Sequence, residues 1–200
     1  MKVVFATNNA NKIREIRNIL GSSLDLLSLS DLNIAEDIPE NEPALEGNAI
    51  SKARHVHEIT HMNVFADDTG LEVESLNGQP GVHSARFAGE NKDSDANNRK
   101  LLSLLAGSEN RNARFRTVIA LIYEGKEYLF EGIVTGKIIS ETKGTGGFGY
   151  DPVFVPDGES RTFAEMQLDE KNLISHRARA FEKLRSFLSG FNDRDNKDFF

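Results

Sequence analysis

Four clusters in this chain hold residue types that bind phosphate and hard metal ions: Thr7-Asn8-Asn9-Ala10-Asn11-Lys12, Ala66-Asp67-Asp68-Thr69-Gly70, Gly144-Thr145-Gly146-Gly147-Phe148-Gly149-Tyr150-Asp151 and Ser175-His176-Arg177. In the first, small polar residues stand where an apolar run hands over to a helical pattern. Free N–H groups at a helix N-terminus favour phosphate. Thr7 adds a hydroxyl, Asn9 an amide, and Lys12 a point charge on a flexible stem. The bland alternative is an Asn-rich turn with an ordinary cap. The Gly-Lys-Ser/Thr ending of a Walker A loop is missing.

Asp67 and Asp68 are oxygen donors of the kind a hard cation takes. Adjacent side chains on extended chain point to opposite faces. Both carboxylates therefore reach one ion only if the chain turns, and Gly70 is placed to make that turn. Glu36, Asp37, Glu40, Glu42 and Glu46 surround two prolines and offer a further carboxylate, without composition choosing among the five. The four glycines of 144–149 let backbone approach a ligand closely. Phe148 or Tyr150 presents an aromatic face to a base, and Asp151 accepts from a ring N–H. Lys171, His176 and Arg177 place cations before and at a helix start, against the macrodipole. Such a conflict between local and global preference is typical of functional sites. Lys52, taken alone, reads as a solvated lysine. The four clusters together describe a pocket for a polyanion chelated to a divalent ion, with a nucleoside triphosphate as the leading ligand.

The elements that must position these residues are legible as periodic segments. Residues 2–6 form a buried strand, since Val3-Val4-Phe5 is β-rich and bounded by asparagines. A helix follows with Ile13, Ile16, Ile19 and Leu20 on one face and Gly21 at its end. A second strand is expected over 24–29, an acidic irregular loop over 31–43, and a long helix over 44–61 carrying Leu45, Ala49, Ala53 and Val56. Residues 64–66 form a short strand entering the carboxylate pair, and 71–73 resume extended chain. The stretch 77–89 is turn-rich, and 95–105 is helical. Residues 114–123 and 126–134 form a hairpin about Glu124-Gly125, with Phe115, Val118, Ala120 and Ile122 on the inner face. A final helix starts near Ser175 and runs to about Leu188, ahead of a frayed polar tail over 192–198. The pattern predicts a mixed α/β fold with long antiparallel strands in the middle.

Two hundred residues suit one domain, here 1–200, able to bury a substantial core. A net charge of -7 argues against a general nucleic-acid binder. It leaves room for an anionic small ligand, because local cations set the potential inside a cleft. The absence of cysteine removes disulfides, thiolate catalysis and Cys-ligated zinc. No apolar run approaches the ~18 residues of a membrane span, and Val3-Val4-Phe5 is far too short for a signal peptide. A cytoplasmic setting is expected.

Read in order, the motifs Thr7-x-Asn9-x-x-Lys12-x-x-Glu15, Asn48-Ala49-x-x-Lys52-Ala53 and Ala66-Asp67-Asp68-Thr69-Gly70-Leu71 closely resemble the inosine triphosphate pyrophosphatase family. The match continues through Pro80-Gly81 with Ser84-Ala85-Arg86, Gly146-Gly147-Phe148-Gly149-Tyr150-Asp151-Pro152, and Glu170-Lys171-x-x-Ile174-Ser175-His176-Arg177. The resemblance implies an elongated, two-lobed body around a long curved mixed sheet with a central cleft. It also implies a homodimer and a Mg²⁺-dependent hydrolysis of ITP, dITP or XTP to monophosphate and pyrophosphate. Thr7, Asn8, Asn9, Ala10, Asn11, Lys12 and Lys52 would then hold the triphosphate. Asp68 would be metal ligand and general base, Thr69 would touch substrate, and Glu40 would be the second metal ligand. Phe148, Gly149, Tyr150, Asp151, Lys171, His176 and Arg177 would line the nucleotide pocket. The chain departs from the family's pattern at Asn8, where glycine is frequent, and at Gly47, where glutamate is. Rival readings are a pyrophosphatase for modified pyrimidine triphosphates and a sensor that binds a nucleotide without turnover.

Overall fold

The computed structural model describes residues 2–20, 25–35 and 38–195. Gly21, Leu24, Glu36, Asp37 and the tail beyond 195 fall outside them. In chain order the elements are β1 (Lys2–Phe5), α1 (Ala10–Leu20), β2 (Asp25–Ser28), α2 (Leu45–Thr60), β3 (Val64–Val73), β4 (Pro80–Gly81), α3 (Ser94–Leu104), β5 (Asn112–Tyr123), β6 (Lys126–Ile138), β7 (Phe154–Pro156), α4 (Leu168–Ile174) and α5 (His176–Asp195). The described strands form one sheet in the order β2-β1-β3-β5-β6-β7, with β4 also on β3. β1 runs parallel to β2 and β3, and the other pairs are antiparallel. The mixed α/β architecture is the expected one.

The β3 strand corrects the sequence reading. It is continuous from Val64 to Val73 and pairs along its whole length with β5. No turn occurs at Gly70. A Cβ there would meet the Gly81 carbonyl at 2.5 Å, so the glycine admits β4 at close range. Consequently Asp67 and Asp68 point to opposite faces.

The β5–β6 hairpin also differs from a two-sided ribbon. Val118, Ala120 and Ile122 pack beneath α2, whereas Ile119, Leu121 and Tyr123 pack beneath α5. Phe115 joins a third cluster with Phe154 and Phe163. Central strands covered on both faces lose the apolar/polar alternation, which is why one inner face cannot be read from the sequence.

Helix α2 buries Leu45, Asn48, Ala49, Lys52, Ala53 and Val56, a stripe at helical spacing. Its alanines bring the backbone close to the sheet, and two polar side chains are carried into the stripe. Helix α5 starts after Ser175, whose hydroxyl accepts from Ala178 N at 3.1 Å. The helix continues to Asp195, so 192–195 are helical where a frayed tail was expected. On its inner side Phe181 meets Phe5 and Phe65 edge-on, at 6.3 and 5.4 Å between ring centroids.

The cleft originates in the sheet itself. Along one edge of β3, β1 pairs with Val64 and Phe65 and then ends, while β4 pairs only from Leu71. With β5 occupying the other edge throughout, residues 67–70 are left without a strand neighbour on that side. This notch opens both faces of the sheet to the same space.

Candidate active site

Two lysines enter the notch from opposite faces and meet at one backbone oxygen. Lys12, on α1, approaches the Asp67 carbonyl at 3.4 Å and its carboxylate at 2.9 Å. Lys52, on α2, reaches the same carbonyl at 2.7 Å, Glu40 Oε1 at 2.6 Å and Asp68 Oδ1 at 3.5 Å. The carbonyl is available because no strand pairs there. At 6% exposure Lys52 is not the solvated lysine its isolated position had implied.

Asp68 lies on the α2 face and accepts Asn48 Nδ2 at 3.0 Å. Asn48 Oδ1 in turn accepts Glu42 N at 2.9 Å, tying the acidic loop to the sheet. Burial raises the Asp68 pKa against the opposing pull of Lys52 and Lys12, and the Glu40 charge adds to the rise. Glu40, half-buried, also feels burial, but Lys52, with Lys12 and Arg86, outweighs it and holds the carboxyl below its usual range. Arg86 stands 3.5 Å from Glu40 Oε2 on the outer side.

On the other face, charged side chains alternate in sign from α1 to the glycine loop. Lys12 pairs with Asp67, and Asp67 Oδ2 lies 3.6 Å from Arg177 Nε. Arg177 bonds Glu15; Glu15 Oε1 and Asp151 Oδ2 each accept Lys171 Nζ at 2.7 Å. All but Lys12 are nearly fully buried, and such charges persist only in pairs. This chain of ion pairs offsets the unfavourable placement of Arg177 at a helix start. His176 stacks on Phe115 at 4.6 Å with rings 14° apart. Burial first, then Arg177, Lys171 and Lys12, push its pKa well below the ordinary 6.5, so the ring is neutral. Its Nδ1 is buried without a hydrogen-bond partner.

Residues 7–12 and the glycine loop both do more than the sequence implied. Asn9 Oδ1 accepts Asn11 N at 3.0 Å and Lys12 N at 3.3 Å, while Asn9 N donates to Thr7 Oγ1 at 3.2 Å. The ordinary cap is thus present, and it spends two of the N–H groups expected to face phosphate. In the loop, a Cβ on Gly144 or Gly146 would strike the Ala164 carbonyl, and one on Gly147 the Asp151 carboxylate. These glycines admit the protein's own atoms; of the four, Gly149 alone is open, at φ +64°. Tyr150 is buried and donates to Ser84 O at 2.9 Å, so the half-buried Phe148 is the aromatic ring left partly accessible in the loop. Lys171 and Arg177 lie 5.1 and 5.3 Å from the Phe148 ring centre.

A single cleft of about 440 Å³ is lined by Thr7, Asn8, Asn9, Asn11, Lys12, Glu40, Lys52, Asp68, Thr69, Phe148, Gly149, Tyr150, Asp151, Lys171, His176 and Arg177. Of the residues the resemblance places at the site, Ala10 alone does not line it; of the wider clusters, Ala66, Asp67, residues 144–147 and Ser175 do not line it either. A model of the Ham1 family matches residues 3–187. The chain belongs to the Ham1 family. A Flavobacterium johnsoniae protein named dITP/XTP pyrophosphatase is 52% identical over 94% of this chain and 98% of its own length. A Porphyromonas gingivalis protein of the same name is 53% identical over 94% and 97%. The solved Staphylococcus aureus Ham1 protein superposes with a TM-score of 0.86 at 38% identity, covering 95% of this chain and 99% of that one. The Coxiella burnetii HAM1 protein gives 0.87 at 36%, with the same coverage. The resemblance read from the motifs is therefore borne out.

Two residues of this Ham1 chain that organise the cleft, Glu15 and Asn48, had no role assigned from sequence, and Asp67, read there as a cation donor, instead pairs with Lys12 and Arg177. Each is a polar side chain at a core position. Glu15 and Asn48 sit in the apolar stripes of α1 and α2, a pattern visible in the sequence as polar residues at buried helical phase. The donor set also bears on a metal. Mg²⁺ takes one or two carboxylates and completes its shell with water and phosphate oxygens. Glu40 and Asp68, both held near Lys52, fit that requirement. Among the described residues no three His, Asp or Glu side chains converge as a self-sufficient metal cage.

Proposed function

We propose that this chain hydrolyses non-standard purine nucleoside triphosphates, ITP, dITP and XTP, at the α–β bond, releasing pyrophosphate and a nucleoside monophosphate. The observation that carries it is the notch: two lysines and two carboxylates line one cleft together with Phe148 and His176. The names of the relatives at about half identity support the same substrates. In this reading Lys12 and Lys52 hold the triphosphate in a partly dry site, where fixed charge counts for more than in water. Thr7, Asn8, Asn9 and Asn11 contact phosphate at the mouth. Asp68, lining the cleft beside Lys52, accepts the proton of the attacking water. Glu40 and Asp68 would hold Mg²⁺, which when bound supplies charge stabilisation to the phosphate oxygens.

Selectivity against adenine follows from donors at the base site, whereas guanine shares the C6 carbonyl and is rejected by shape or a second mismatch at its 2-amino group. Hypoxanthine and xanthine present a C6 carbonyl, whereas adenine presents an amino group that meets Arg177 and backbone N–H groups donor to donor. One unpaired buried polar group costs about 1–3 kcal/mol, or roughly tenfold to a hundredfold in discrimination. The same reading takes the chain as one domain of two lobes, a homodimer and a cytoplasmic enzyme with no nucleic-acid or membrane partner. No described helix is long and apolar enough to cross a membrane.

A panel of dITP, XTP, dGTP and dATP, with Mg²⁺ or with EDTA, tests the reaction by scoring pyrophosphate and orthophosphate separately. Pyrophosphate from dITP and XTP, abolished by EDTA, is expected. Orthophosphate as first product, or equal kcat/KM across the panel, would overturn the assignment.

A further inference from the structure

The surroundings of the Lys52 ammonium assign it a task beyond neutralising phosphate. Its nitrogen lies 2.6 Å from Glu40 Oε1, 2.7 Å from the Asp67 carbonyl and 3.5 Å from Asp68 Oδ1. An ammonium has three N–H donors, and three protein oxygens surround this one. Lys52 therefore turns to a phosphate only by releasing one of them. The two carboxylates it holds are the pair that would ligate a divalent ion, so ion and ammonium compete for the same oxygens. Two carboxylates are also too few to complete an ion's shell, and among the described residues no third one joins them.

We propose that Lys52 is a resident cation between Glu40 and Asp68 that a divalent ion displaces on arriving with its nucleotide. Resting on the function proposed above, this makes Lys52 an exchanging group. The ion takes the carboxylates, the phosphates take the ammonium, and the cleft never holds two adjacent carboxylates without a counter-charge. Asn48 keeps Asp68 oriented from its other oxygen throughout, at 3.0 Å from Oδ2. The ammonium keeps the free protein from loading the ion alone, and the nucleotide–metal complex brings both replacement ligands together.

Mn²⁺ binding to the nucleotide-free protein, read by electron paramagnetic resonance of the unbound ion, tests this without turnover. Lys52→Met is expected to bind Mn²⁺ about tenfold or more tightly than the wild type, since a nearby positive charge is gone. The gain should disappear in the Lys52→Met, Glu40→Gln double variant. Equal or weaker affinity in Lys52→Met overturns the exchange. Should that variant fail to fold, a crystal of the wild type with Mg²⁺ and α,β-methylene-dITP decides. Nζ beyond hydrogen-bond reach of Glu40 supports the proposal, and Nζ still bonded to it defeats it. Failure of the enzymatic reading shows elsewhere, as turnover that EDTA does not abolish.

Discussion

Asp67 and Asp68 are neighbours of one residue type, and their surroundings drive their titration in opposite directions. At Asp67 burial is outweighed by Lys12, Arg177 and Lys52, bringing its pKa down to about 2. At Asp68 burial prevails over Lys52 and Lys12, and the pKa rises. The first is an anion locking two cations; the second is the one that lines the cleft. Asp68→Asn is expected to lower kcat for dITP by about 100-fold or more, the usual contribution of a positioned base, in steady-state assays of pyrophosphate release. Turnover within about twofold of wild type would remove Asp68 from the proton transfer.

Elements place these groups through a few close approaches. Gly132 of β6 is the tightest: a Cβ there would lie 2.0 Å from the His176 carbonyl and 2.5 Å from Ala180 N. The start of α5, with His176 and Arg177, rests directly on this glycine. Gly132→Ala forces the helix off the strand, and a loss of about 2–3 kcal/mol by denaturant unfolding is expected, together with weaker dITP/dATP discrimination. Gly190 lies on the same helix, exposed, with nothing within 4 Å of its Cβ position. Gly190→Ala is expected to stabilise by about 0.5–1 kcal/mol and leave selectivity unchanged. A similar outcome for both would show that close packing against β6 does not set the position of α5. Helices α1, α2, α3 and α5 were legible as apolar stripes while the short α4 was not, and the hairpin turn was legible too, where Glu124 and Gly125 both take positive φ. The continuity of β3 was not legible. Two carboxylates and a glycine read as a break in local terms, and pairing with β5 along ten positions overrides that preference.

At the scale of the whole molecule, the buried ion pairs join α1, β3, the glycine loop, α4 and α5 into one electrostatic unit, and pH tests it. His176 is kept neutral in the fold, while the unfolded chain regains an ordinary value near 6.5. Below that pH the unfolded chain binds a proton the folded one does not, so stability falls as pH drops through 6.5. The Asp67 contribution is present above about 3.8 and is lost only as pH falls toward 2. Between about pH 7 and 5, Tm of the wild type should therefore fall more steeply than Tm of His176→Phe, which keeps the ring stack on Phe115. Equal slopes would show that His176 is not held neutral. The sequence by itself determined the family, four of the five helices and about half of the residues lining the cleft, because motif spacing and helical phase are local properties written in residue order. Which carboxylate faces which lysine, and that Lys52, Glu15 and Asn48 are buried partners, only the tertiary structure decided. Those facts depend on where β1 stops along β3 and on side chains up to 162 positions apart, as Arg177 is from Glu15.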